Sequence, residues 1–377
     1  MIFTNASIFH GDRFISGSFT VSDGKFKDIS ADPRSEGSID LGGMYVIPGL
    51  VDIHTHGCMG CDFSDGDIDG LRKIGIEMAK RGVTAFAPTS MTLPYDRLEK
   101  AFLTAKEYND GRPENGAKIA GIHMEGPFLS EAKKGAQNAE YLKDPDPETF
   151  FRLNEACGGM IRFVDIAPEL PGAFDFIRTL KSKHPDVCVS IAHTCADFDE
   201  AAKAFDLGVS HVTHLFNAMP LLHHREPGVI GAAAYRENVT AELICDGLHI
   251  HPAVIKMAFR MFPGRICLVS DSVRCCGMPD GKYDLGGQEI KLENNEARCA
   301  DGTIAGAVSD LYSDMVNAVR FGVPLNEAIL AATLIPAKEA GISDITGSIE
   351  KEKAADFIVC GEDLDIKQVY ISGQRIF

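Results

Sequence analysis

The stretch YVIPGLVDIHTH, residues 45–56, is an apolar run that closes on two histidines, His54 and His56. Similar short apolar runs recur through the middle of the chain, separated by amphipathic stretches. They predict strands over 45–54, 85–89, 119–124, 161–167, 187–193, 209–215, 241–245 and 266–270. The amphipathic stretches predict helices over 68–81, 96–108, 172–183, 198–207 and 253–262, with two more, 309–321 and 326–333, after the last strand. Eight buried-type strands alternating with helices fit an α/β fold of the (β/α)8 barrel type. A doubly wound open sheet is the alternative, since periodicity alone does not separate the two. No G-x-G-x-x-G follows the first strand, which weakens a dinucleotide-binding reading.

The chain ends follow a different pattern. Residues 1–30 alternate apolar and polar positions around Gly11-Asp12 and Asp23-Gly24, and residues 355–377 do the same around Ser372-Gly373. Neither end can bury a sheet face alone. The economical arrangement joins residues 1–45 and 345–377 into one small β-domain flanking a barrel over 46–344.

Thirty-seven Lys and Arg stand against 54 Asp and Glu in 377 residues, a net charge of −17. Nucleic acid and anionic membrane surfaces both need a basic footprint, so neither is expected as a partner. A small anionic substrate needs only two or three local cations and remains compatible. No apolar run approaches the roughly 18–20 residues of a membrane span. The N-terminus lacks the basic start and apolar stretch of a secretory signal, so a reduced, cytoplasmic protein is expected. The eleven scattered cysteines agree with that expectation.

Active sites of parallel barrels form at the C-terminal ends of the strands. In the order above, those ends carry His54 and His56, then Glu125, His193, His214 and Asp271. Two histidines at i and i+2 in a strand lie on one face, roughly 6.6 Å apart along the backbone, and their rings can converge on a cation at about 2.0–2.1 Å. Glu125 ends an apolar strand, where a carboxylate is expensive to bury unless it is paired or bound to metal. The set predicts a divalent metal site built from His54, His56, Glu125, His193 and His214, for which zinc, iron, cobalt and manganese are all suitable. Asp271 is placed as the general base and acid, with a helix N-cap as its structural alternative. His123 shares the strand parity of Glu125 and is a candidate supporting partner. His211, three residues before His214, should point to the opposite face and pack there.

With Val46–Asp52 before it, His54-Thr55-His56 resembles the opening strand of the amidohydrolase superfamily. Within that superfamily, His123–Phe128, Thr213–Pro220, Arg225–Gly228, Asp246–His249, Ser270-Asp271 and Asp301–Gly306 are similar to the N-acetylglucosamine-6-phosphate deacetylase family. The resemblance implies a metal-dependent (β/α)8 barrel, a small β-sandwich made from both chain ends, and a homodimer. It implies hydrolysis of the acetamide of N-acetyl-D-glucosamine 6-phosphate to D-glucosamine 6-phosphate and acetate. It further implies that Glu125, His193 and His214 hold a main metal, that His54 and His56 share Glu125 with a second, and that Asp271 moves the proton. His249, Asn217 and Ala218 would orient the sugar, Ile304 would line the pocket and Arg225 would meet the phosphate. One position departs from the pattern. Gln137 stands where some members place a substrate-contacting histidine, so its role there is orientation without charge.

Two rival functions are tested by particular residues. A cyclic-amide hydrolase of the dihydroorotase type needs a barrel lysine between the metals, and the end of the fourth strand, Asp165–Glu169, has none. An inactive scaffold would have lost ligands, whereas every one is present. Finally, Cys58 and Cys61 follow the first strand and Cys275-Cys276 the eighth. These are neighbours in a closed barrel, so the four thiols either meet across the mouth or remain separate loop thiols.

Overall fold

The structure, a computed structural model, describes residues 1–30 and 37–377. Eight parallel strands wind round a barrel: β1 (Leu50–Thr55), β2 (Val83–Ser90), β3 (Ile122–Met124), β4 (Ile161–Ile166), β5 (Cys188–Ile191), β6 (His211–Val212), β7 (Thr240–Leu243) and β8 (Ile266–Leu268). Each pairs with the next. Backbone bonds close the seam from the last to the first: Asp271 N–H donates to His54 O at 2.9 Å, and His56 N–H to Ser272 O at 2.8 Å. The expected (β/α)8 barrel is therefore the observed one.

The helices coat the barrel for reasons visible in their sequences. Ile68–Lys80 starts at Asp67, whose carboxylate accepts from Asp69 N–H and Gly70 N–H, and it buries Leu71, Ile74 and Met78 at helical spacing. Pro147–Ala156 and Gly228–Ala234 are additions to the sequence expectation. The first carries a start signal, Asp146 as cap with Pro147 at the first turn. The second is a small-residue helix with no charged face to reveal a period.

The strand expected over 45–54 divides at Gly49. Tyr45–Pro48 pairs with Phe357–Cys360 and Ile2–His10 in the sheet of the chain ends, while β1 pairs in the barrel. Gly49 N–H turns to Asp356 O, and a Cβ at Gly49 would fall 2.3 Å from the Thr84 side chain. A side chain would block that crossing. The end sheet runs Gln374–Arg375, Ile366–Ile371, Phe357–Cys360, Tyr45–Pro48, Ile2–His10, Arg13–Ser22 and Lys25–Ser30. It has its own aromatic core, in which Phe3 stacks on Phe19 and Phe357 on Tyr370.

A three-stranded antiparallel sheet, Gly281–Leu285, Gln288–Glu293 and Glu296–Cys299, follows β8 and was not expected. Its two turns, Gly286-Gly287 and Asn294-Asn295, hold positive φ at both central residues, the conformation of tight hairpins. Gln288 Nε2 donates to Ala136 O at 2.7 Å and ties this sheet to the loop after β3. No helix among the described residues is long and apolar enough to cross a membrane.

The barrel seam depends on a buried carboxylate. Asp52 accepts from Ser270 Oγ at 2.6 Å and from the backbone N–H groups of Ser270 and His54. Asp52→Ala leaves those donors unpaired, so chemical denaturation should show a loss on the order of 1–3 kcal/mol; an unchanged midpoint would mean the seam does not need them.

Candidate active site

The barrel mouth gathers the polar strand ends. His193, His214 and Asp271 all sit at positive φ, at 42°, 32° and 46°. Each such non-glycine residue costs roughly 1–3 kcal/mol, and such strain collects at functional sites. Here it takes the chain out of strand geometry where these side chains enter the site. The same departure corrects the expectation for His211. Strand β6 ends at Val212, so alternation no longer separates His211 from His214. Both reach Glu242: His211 Nε2 lies 3.3 Å from Glu242 Oε1, and His214 N–H donates to Oε2 at 3.0 Å.

Glu125 is the centre of the constellation and is almost wholly buried. Its Oε1 lies 3.0 Å from His193 Nε2 and 3.2 Å from His214 Nε2, which are 3.1 Å from each other. Its Oε2 lies 3.3 Å from His56 Nε2 and 2.7 Å from the Gln137 amide nitrogen. Asp271 Oδ1 completes the ring, 3.3 Å from His56 Nε2 and 3.5 Å from His54 Nε2.

The far sides of these rings determine what their near sides can do. His193 Nδ1 donates to Lys133 O at 2.8 Å, His56 Nδ1 to Thr89 O at 3.1 Å, and His54 Nδ1 to Glu242 Oε2 at 2.8 Å. With the proton held on Nδ1, the neutral ring aims a lone pair from Nε2 into the site. Imidazole lone pairs and carboxylate oxygens therefore converge at about 3 Å, an arrangement that repels unless a cation or protons lie between them. His54 Nε2 is buried with no hydrogen-bond partner at all. The residues present fit a divalent metal, with His and carboxylate donors suited to zinc, iron, cobalt or manganese.

Without a cation, protons take its place. Burial favours a neutral His56 ring, but the hydrogen bonds it donates to Asp271 and Glu125 outweigh it and lift the ring to about 10. Burial pushes the Glu125 carboxyl up, yet His193, His214 and His56 hold it well below the ordinary range. Asp271 also stays low: burial works against its ionisation, but the neighbouring His54 and His56 prevail. An ionised Asp271 in this position can accept a proton, and Asp271 caps no helix.

A second buried carboxylate, Glu242 on β7, lies beneath the site between His54 and His211. It is not among the residues expected from sequence, although a lone glutamate in the apolar run 241–245 carries the same signal as Glu125. His123 lies between Ile53 O at 2.9 Å and Asp165 Oδ1 at 3.1 Å, its ring centre 4.6 Å from that of His54.

A cavity of about 360 Å³ opens above the carboxylates. Gln137, Asn217, Ala218, His249 and Ile304 all line it, as does Lys133. His249 Nδ1 is held by Asp246 Oδ2 at 2.7 Å. Gln137 is buried, its amide oxygen accepting from Thr92 N–H at 2.7 Å. Arg225 is not brought to this cavity. It belongs to the exposed segment Leu221–Glu226 and lies 2.8 Å from His224 Nε2. The thiols near the mouth do not assemble into a ligand set either. Cys58 pairs with Cys61 across a two-residue hairpin, all four of these cysteines are free, and burial pushes Cys58 and Cys276 up to about 12.

Comparison with known proteins adds the family. The model of the amidohydrolase family matches residues 45–376. An N-acetylglucosamine-6-phosphate deacetylase of Bacillus subtilis is 33% identical over 370 residues, covering 96% of this chain and 93% of that protein. An N-acetylgalactosamine-6-phosphate deacetylase of Escherichia coli O157:H7 is 34% identical, covering 87% and 86%. Among solved structures, an N-acetyl-D-glucosamine-6-phosphate deacetylase variant from Mycobacterium smegmatis, in complex with N-acetyl-D-glucosamine-6-phosphate, superposes with a TM-score of 0.92 at 30% identity. The match covers 100% of this chain and 99% of that one.

Glu242 gives the sharpest test of how the ligands are held. Glu242→Gln removes the charge behind His54 and should weaken metal binding by about 10–100-fold, read as dissociation constants from competition with a chromophoric chelator. Unchanged affinity would show that Glu242 is only a packing group.

Proposed function

We infer the function from descent: this chain belongs to the amidohydrolase family, among the N-acetylglucosamine-6-phosphate deacetylases. The reaction is hydrolysis of the acetamide of N-acetyl-D-glucosamine 6-phosphate, releasing acetate and D-glucosamine 6-phosphate. The observation that carries it is the convergence of imidazole lone pairs and Glu125 beside an ionised Asp271, at the base of a cavity large enough for a sugar.

Glu125, His193 and His214 are proposed to hold one divalent ion, and His54, His56 and the same Glu125 a second. A divalent ion held there would supply a lowered pKa for water and polarisation of the acetamide carbonyl. Asp271 takes the proton from the attacking water and delivers it to the leaving nitrogen, so that an amine rather than an amide anion departs. His249, held by Asp246, presents its free edge to the sugar, while Asn217 and the Ala218 backbone orient the ring and Ile304 packs against it. Gln137 can offer a neutral donor and holds Glu125 Oε2 in place. Lys133 is the lysine or arginine lining the cavity among the described residues, and it supplies positive charge there.

Arg225 would reach a phosphate by movement of its exposed segment or from a second copy of the chain. The second route agrees with the homodimer reading and is supported by the exposed apolar side chains nearby, Leu221 and Tyr235, each 82% accessible. A cytoplasmic place in amino-sugar catabolism, with zinc as one suitable metal, completes the proposal.

The test is acetate release from N-acetylglucosamine 6-phosphate, its galacto epimer and the unphosphorylated sugar, using protein of measured metal content. Turnover of the phosphorylated gluco substrate, abolished by chelation and restored by a divalent metal, is expected. Metal-loaded protein inert toward all three would overturn the assignment. Asp271→Asn should lower kcat by about 10²–10⁴-fold with metal content unchanged. Arg225→Ala should raise KM with little change in kcat, and an unaltered KM would remove Arg225 from phosphate recognition.

A further inference from the structure

At the end of the barrel away from the mouth, three ligand types meet: Cys188 begins β5, His211 begins β6, and Glu339 ends the helix Leu334–Glu339. One donor atom from each lies within 4.8 Å of the others. Glu339 Oε2 is 3.3 Å from His211 Nδ1 and 3.9 Å from Cys188 Sγ. In a tetrahedral zinc site with bonds of about 2.0–2.3 Å, ligand atoms stand about 3.3–3.8 Å apart. Both distances from Glu339 Oε2 are close to that spacing.

The surrounding bonds orient the inward atoms, among which the Cys188 thiol donates to Glu339 Oε2 and lies 3.9 Å from Ser210 Oγ. Glu242 Oε1 lies 3.3 Å from His211 Nε2, placing the ring proton on that side, and Thr240 Oγ1 donates to Glu339 Oε1 at 3.0 Å. His211 Nδ1 is then left buried without a hydrogen-bond partner, because its contact with Glu339 Oε2 lacks hydrogen-bond alignment. A carboxylate behind the histidine and a hydroxyl behind the glutamate are how outer groups orient metal ligands. Cys188 is buried and Glu339 partly exposed, so the glutamate side offers a way in from solvent. The simpler occupant is a proton, making His211 an imidazolium between Glu242 and Glu339.

We propose that Cys188, His211 and Glu339 form a second, structural zinc site, separate from the mouth, that pins the helix Leu334–Glu339 to the starts of β5 and β6. Binding converts the Cys188 thiol to a thiolate bonded to the ion, and the displaced proton leaves to solvent. The fourth position is open to water. The chemistry separates this site from the mouth, whose ligands are imidazole and carboxylate and include no thiolate.

Cobalt(II) makes that difference visible. Full-length protein stripped by chelator and reloaded with cobalt(II) should show a thiolate-to-cobalt charge-transfer band in the near ultraviolet. The band should vanish in Cys188→Ser and persist in Cys58→Ser. On zinc loading, elemental analysis should find one equivalent fewer in Cys188→Ser than in the unaltered chain. Should that variant misfold, Glu339→Gln, altered at a partly exposed position, is expected to lose the same equivalent. No charge-transfer band in the unaltered protein, a band that survives Cys188→Ser, or equal zinc in folded variant and parent would each overturn the site and leave a protonated His211.

Discussion

Everything at the barrel mouth depends on one buried carboxylate. Glu125 is removed from water at the end of a strand, where an unpaired charge would cost several kcal/mol or would simply be neutralised. It is kept ionised by imidazoles on both of its oxygens. Those imidazoles cannot serve unless they face it, and so each must be held from behind. Lys133 O, Thr89 O and Glu242 Oε2 do this for His193, His56 and His54. These holders come from the loop after β3, from β2 and from β7, so closing the barrel and assembling the site are the same event.

That dependence extends downward. Glu242 is itself buried and ionised, held by His54 from above and His211 from below, which outweigh the penalty of burying its charge. The polar column Asp271, His54, Glu242, His211 and Glu339 thus alternates acid and base along the barrel interior. All but the partly exposed Glu339 are removed from solvent, so each charge there is balanced by the opposite type of group beside it. Such networks are worth more than their separate pairs, and removing one member leaves another uncompensated. The arrangement explains why a glutamate that touches no substrate belongs to the site.

The sequence shows this organisation unevenly, for physical reasons. Apolar runs ending in His or Glu are legible because burying a polar side chain at a strand end is costly and therefore informative. The same cost marks Glu125 and the histidines that converge on it, and it applies equally to Glu242. His211 was misplaced because parity assumes an unbroken strand, and positive φ at His214 ends that assumption. The division at Gly49 depended on an approach to Thr84 that no local pattern encodes. The three-stranded insertion has hairpin signals in Gly286-Gly287 and Asn294-Asn295, but its strands alternate exposed and buried positions and lack the apolar runs that mark the barrel strands. The small end sheet was legible, since neither chain end could bury its apolar face without the other.

An anion must enter an acidic protein against its overall charge. With a net charge of −17, the long-range field opposes a phosphate, so its capture depends on a few cations close to the cavity. Arg225 is absent from the lining, which leaves Lys133, held on Met219 O at 3.4 Å, as the lysine or arginine there among the described residues. A single ammonium is a compact charge with no bidentate fork, and it neutralises only part of a dianion. The remainder must come from donors that carry no full charge or from an arginine delivered from outside the cavity. The exposed segment Leu221–Glu226 holds such an arginine beside apolar side chains that a neighbouring surface would cover. With the role proposed for Arg225, the anion site of one chain would be completed once that segment, its own or another copy's, came over the mouth.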